Sequence, residues 1–134
     1  MTRRHGETLP PFEIRISQAM IDAYAELSGD FNPIHVDPVA ATASMFGGTV
    51  AHGCIPLEPI FQSVARWSGH GLVPRDAVFR LRYRAPSRPG DVIRSEAHVV
   101  SDEDDAGRRK FVIAFNLLNQ RGERVIDGEC ELVI

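Results

Sequence analysis

Tyr24-Ala-Glu-Leu-Ser-Gly-Asp-Phe-Asn-Pro-Ile-His35 is the stretch on which the reading of this chain turns. It sets a carboxylate, Asp30, five residues before an imidazole, His35, with Asn32-Pro33 between them. On an unbroken helix, side chains five apart diverge by roughly 140°. This helix cannot run on: Asn32 precedes a proline and is pushed out of the α region, and Gly29 is a natural helix terminator. The resulting turn brings a carboxylate and an imidazole toward one cleft, the arrangement that acid–base chemistry requires.

Upstream, Ser17 is a plausible N-cap for a helix over 18–28, with Met20, Tyr24 and Leu27 at i, i+4 and i+7 as its apolar stripe. Phe12, Ile14 and Ile16 alternate with Glu13 and Arg15 in a short half-buried strand. Residues 1–10 read as a flexible polar arm ended by Pro10-Pro11, leaving 11–134 as a single domain. Downstream, Asp37 followed by Pro38 opens a second short helix that runs through Met45. After His52-Gly53 a longer helix reaches to about Trp67, with Leu57, Ile60, Phe61, Val64 and Ala65 on its apolar face. Pro56 and Pro59 disturb its start.

From Asp76 the period switches to two. Ala77, Phe79, Leu81 and Tyr83 share a face, and Pro86 to Gly90 turn the chain. Ile93, Ser95, Ala97 and Val99 define the next strand, and Asp102 to Asp105 with Gly107 read as a solvated hairpin loop. Phe111, Ile113, Phe115 and Leu117, then Ile126, Cys130, Leu132 and Ile134, supply two more strands around the turn Gln120-Arg-Gly122. A strand, then helices, then consecutive antiparallel strands make an α+β protein whose sheet buries one face on a helix.

With 134 residues, 43% hydrophobic and 25% charged, the chain suits one soluble core. Fifteen basic against eighteen acidic side chains give no nucleic-acid signature. No apolar run approaches the ~20 residues of a membrane-spanning helix. The first ten residues lack the apolar core of a secretory signal. Cys54 and Cys130 are too few and too scattered for a disulfide scaffold or zinc site, and read as free thiols in a reducing cytoplasm.

Three motifs, in order, carry a family resemblance. Tyr24, Ser28, Gly29, Asp30, Asn32, Pro33, Ile34, His35 and Ala41 resemble the signature of the MaoC-like dehydratases, the (R)-specific enoyl-CoA hydratase group. Phe46-Gly47-Gly48-Thr49-Val50-Ala51-His52-Gly53 resembles that family's second marker, and Pro86-Ser87-Arg88-Pro89-Gly90-Asp91 its third. The resemblance implies a hot-dog fold, an antiparallel sheet wrapped around a long central helix, usually in a dimer. It implies hydration or dehydration of a 2-enoyl/3-hydroxyacyl thioester of CoA or acyl-carrier protein. No cofactor is implied beyond the pantetheine of the substrate, and no metal. The chain departs from the pattern at Cys54-Ile-Pro-Leu-Glu-Pro59, and has Phe61 where a hydratase of the group carries serine.

Hydrating an enoyl thioester needs a base for the attacking water, an acid for C2 and a donor for the enolate oxygen. A carboxylate charged at neutral pH and an imidazole that titrates near it suit the first two, which makes Asp30 and His35 the catalytic candidates. The resemblance assigns the third role to the Gly53 N–H, at the mouth of the central helix where unsatisfied amides favour an oxyanion. Asn32, His52, Cys54 and Phe61 are candidate substrate contacts. Asn32 also reads as a brace of the turn, and His52 as a hydrogen-bonded scaffold residue. Phe61, with the two prolines, is expected to narrow the acyl channel toward short chains. Arg80, Arg82 and Arg84 suit either pantetheine phosphates or a solvated strand face. Two alternatives stay open: a thioesterase using Glu58 to direct water, and a non-catalytic acyl-thioester binding subunit. Partners are the acyl thioester, a second copy of the chain in a homodimer or higher oligomer and, where it is the carrier, acyl-carrier protein.

Overall fold

A computed structural model describes residues 4–134. The expected helix between Ser17 and Gly29 forms as α1, Gln18–Ser28. The Ser17 hydroxyl accepts from the Met20 N–H, and Gly29 closes the helix at a φ of 77°, where a side chain would be strained. The buried stripe is not the expected one. Ile21 and Ala25 face the core, whereas Leu27 is 85% exposed. Both sets have helical spacing, and packing selects the narrower pair, rotated by one residue.

The expected helix opening at Asp37-Pro38 stops at Thr42 rather than Met45, and another short helix forms ahead of it. Asn32 caps α2, Pro33–Val36, by accepting from the Ile34 N–H at 3.2 Å. Asp37 caps α3, Pro38–Thr42, by accepting from the Val39 and Ala40 N–H groups. Each helix has proline in its first turn, where the missing N–H costs nothing. The longer helix is interrupted: Ile55–Leu57 form a 3₁₀ turn, and α4 follows at Glu58–Ser68. Pro59 cannot donate to the carbonyl four residues back, so an α-helix cannot extend from Gly53 through it.

Strands β1 (Glu13–Arg15), β2 (Val78–Tyr83), β3 (Val92–Asp105), β4 (Arg108–Leu118) and β5 (Arg124–Val133) form one antiparallel sheet of order β1-β3-β4-β5-β2. Ile60, Val64 and Trp67 of α4 bury against its concave face, which presents Ile93, Ala97, Val99, Phe111, Ile113, Phe115, Leu117, Ile126, Cys130 and Leu132.

Two expectations need correction here. The acidic run is strand rather than loop, because β3 continues to Asp105 and the chain reverses at Ala106-Gly107; Glu103, Asp104 and Asp105 are exposed at the hairpin end, whereas Asp102 is buried. A register shift between Val99 and Ser101 inverts the alternation and turns Asp102 inward. There its carboxylate accepts from the Arg109 guanidinium at 2.5 and 2.9 Å and from the Arg4 N–H at 2.6 Å. The described part of the arm, residues 4–10, is held along the edge of β3 rather than loose. Gly6 and Leu9 donate to the Val99 and Ala97 carbonyls, Leu9 is buried, and the Arg4 guanidinium lies 4.1 Å over the Trp67 ring. Arg4 and Leu9 supply the cation and apolar anchor that outweigh the arm's polar composition.

Candidate active site

Asp30 follows α1, and its side chain serves two purposes. Oδ1 accepts from the Asn32 N–H at 3.2 Å, which shapes the turn, while Oδ2 faces the His35 ring, 3.8 Å from Nε2. The turn-forming and catalytic readings of Asp30 are therefore compatible. His35, on α2, is held from its other side. Its Nδ1 is 2.7 Å from the Val50 carbonyl, which can only accept, so Nδ1 carries a proton and Nε2 is the ring nitrogen that faces Asp30.

His52 braces both residues from behind. Its ring stacks on His35 at a centroid distance of 3.9 Å and 25° between planes, and Tyr24 leans on it at 4.7 Å. His52 Nε2 lies 2.9 Å from the Asp30 carbonyl, so Nε2–H donates to it. At 3% exposure His52 is buried behind this pair.

A cavity of about 380 Å³ opens beside this stack. His35, Gly53, Pro56, Phe46, Val50 and Tyr83 are among its walls. Gly53 follows a peptide plane whose carbonyl, that of His52, accepts from the Ile55 N–H at 3.0 Å. In a trans peptide the N–H points away from the carbonyl. The Gly53 N–H therefore points away from the 3₁₀ turn, and it has no hydrogen-bond partner among the described residues. A Cβ here would sit 2.7 Å from the Tyr83 hydroxyl, so a larger residue would displace the Tyr83 ring from its place over this peptide.

Of the residues singled out in the sequence, His35 and Gly53 line one cavity, with Asp30 against His35 at its side. Asn32 is occupied as the α2 cap. Cys54 is exposed and borders a second, smaller cavity with Ile14, Met20, Tyr24, Ile55 and Glu58. Its sulfur beside the Tyr24 phenol pushes that phenol above its usual pKa. Phe61 lines neither cavity; it is half-buried and packs edge-on against Phe79 at 5.2 Å, on the margin of the core. Arg80 and Arg84 are engaged by Glu131 and Asp127 at 3.3 and 2.8 Å. Tyr83 is the wall residue that sequence reasoning missed, since period-two alternation assigned it to the core with Phe79 and Leu81.

Asp30, His35 and His52 each bring a ligand-type atom within 4.8 Å of the others. Two stacked imidazoles nevertheless direct their in-plane lone pairs side by side, not onto one ion as a tetrahedral site demands. Among the described residues no helix is long and apolar enough to cross a membrane.

The family model described as MaoC like domain matches residues 2–120. The (R)-specific enoyl-CoA hydratase of Aeromonas caviae is 27% identical over 118 residues, covering 86% of this chain and 84% of that protein. The 3-hydroxybutyryl-CoA dehydratase of Methylorubrum extorquens is 30% identical over 115 residues, 85% of this chain and 70% of that protein. The structure of the MaoC-like dehydratase from Rhodospirillum rubrum superposes with a TM-score of 0.74 at 27% identity, covering 97% of this chain and 91% of that one.

Proposed function

The chain belongs to the MaoC-like domain family, and from that premise we propose that it adds water to a 2-enoyl thioester, or removes it from the 3-hydroxyacyl thioester. The fold is the hot-dog fold. The observation that supports the proposal is that His35 and Gly53 line one cavity, with the Asp30 carboxylate 3.8 Å from His35 Nε2 at its side.

In the hydration direction, water lies between Asp30 and His35. His35 Nε2 takes one proton as the oxygen bonds to C3, and the Val50 carbonyl and Asp30 carboxylate stabilise the imidazolium on its two sides. The C2=C3 electrons move onto the thioester oxygen, where the Gly53 N–H receives the enolate charge. The imidazolium then returns its proton to C2. One water is consumed, and no cofactor enters. The carrier is CoA or acyl-carrier protein. Glu58, the residue a thioesterase would use, borders the other cavity and so is not favoured for this chemistry.

The working form is a dimer. The arm and β1 cover one side of the sheet, while β2 forms its opposite edge with Val78 exposed, suited to pairing with a second copy.

Crotonyl-CoA tests the reaction, with enoyl absorbance and free thiol followed in parallel. Loss of absorbance without thiol is expected. Thiol release would identify a thioesterase, and binding without either change a non-catalytic subunit.

A further inference from the structure

We infer that Tyr83 is a positioning residue that holds the Gly53 amide in the orientation the enolate oxygen needs. This rests on the reading of Gly53 as the oxyanion donor. Tyr83 is the last residue of β2 and shares its face with Phe79 and Leu81, but the core ends beneath it. Its ring extends beyond the packed interior, 54% exposed, and reaches over Gly53. The hydroxyl donates to the Gly53 carbonyl at 3.0 Å.

Gly53 lies between two peptide planes, and glycine lets both rotate more freely than any other residue would. The plane before it is held by the Ile55 N–H on the His52 carbonyl. The plane after it is held by Tyr83. Fixing both planes fixes the backbone angles of Gly53 and hence the direction of its N–H. Donors aligned before the reaction stabilise developing charge without reorganising, which is the source of their catalytic value. Partial desolvation over the Gly53 peptide and the neighbouring Cys54 sulfur push the Tyr83 phenol above its usual pKa, so it stays a donor throughout the neutral range.

The test is Tyr83→Phe, which retains the ring and removes the hydroxyl. Losing one neutral hydrogen bond that acts through a preorganised donor should lower kcat for crotonyl-CoA about three- to tenfold, with KM held within about twofold. A second reading uses acetoacetyl-CoA, whose enolate has its own near-ultraviolet band. Per molecule bound at saturation, the variant should show a weaker enolate band than the wild type, a change that partial unfolding cannot mimic. Unchanged kcat with an unchanged band overturns the role of Tyr83 while leaving the hydratase reading intact. A rise in KM alone also overturns it, making Tyr83 a mere wall of the cavity. A wild type inert toward 2-enoyl thioesters overturns both readings.

Discussion

Two side chains five residues apart, Asp30 and His35, form a pair only because Gly29 ends one helix and Asn32 begins the next. Asp30→Asn and His35→Ala should each lower hydration by about 10²–10⁴-fold. Because the two act on one water, the double variant should be little worse than either single one. Steady-state kinetics with circular dichroism as a folding control checks this; near wild-type turnover in a folded single variant would overturn the mechanism. The two thiols provide a separate check on the environment of single residues. Burial pushes the Cys130 thiol up to about 12, while Cys54 is exposed. One cysteine should react with an alkylating reagent in the native protein and both after denaturation, as intact-mass measurement would show. The pair could be read from sequence because its members are local. Tyr83 could not, since it meets Gly53 from 30 residues away.

Strand alternation is reliable until a bulge inverts it, and β3 shows how much that matters. A strict period of two puts Asp102 on the outer face with its acidic neighbours; the register shift after Val99 makes it the buried partner of Arg109. Asp102→Ala should destabilise the fold by about 3 kcal/mol, because it leaves the guanidinium facing the interior without its counter-charge. Urea denaturation measures this, and a loss below about 0.5 kcal/mol would show a solvated pair instead. In β5, Gly128 fills a gap in the apolar alternation between Ile126 and Cys130. A Cβ there would lie 2.2 Å from the Arg80 carbonyl oxygen and 2.8 Å from the Leu81 Cα. These are backbone atoms of β2, so Gly128→Ala should push the two strands apart at a cost of about 1–3 kcal/mol, also measurable in urea.

For the whole molecule, charge pairing predicts how stability responds to pH. Arg84 holds Asp127, and Lys110 with Arg80 holds Glu131, below the usual carboxylate range. A depressed carboxylate stabilises the fold above its unfolded value, and that contribution disappears as pH falls through the folded one. Lys110 is raised by Glu131, so its contribution is present below its unfolded value and lost as pH rises through the folded one. Cys130 acts in the same alkaline direction: between its ordinary 9.0 and about 12 the unfolded chain binds fewer protons, and stability falls as pH rises. Thermal melts should therefore show a plateau from mildly acidic to mildly alkaline pH, with losses on both sides. Cys130→Val should flatten the alkaline loss, and an unchanged alkaline limb would show that the thiol does not contribute.

What the sequence determined by itself was local or periodic: the caps at Ser17 and Asp37, the stop at Gly29, the inward faces of β3 and β4, and the spacing that pairs Asp30 with His35. Each depends on backbone preferences or on neighbours within one turn of chain. Three motifs in order were enough to indicate the family. Tertiary structure alone decided which stripe of α1 is buried, that Asp102 turns inward, that Leu9 anchors the arm, that Phe61 packs on Phe79 at the margin of the core, and that Tyr83 lies over Gly53. The physical reason is common to all five. Each side chain could have adopted either of two environments at similar local cost, and a partner distant in the chain supplied the burial, charge or hydrogen bond that selected one.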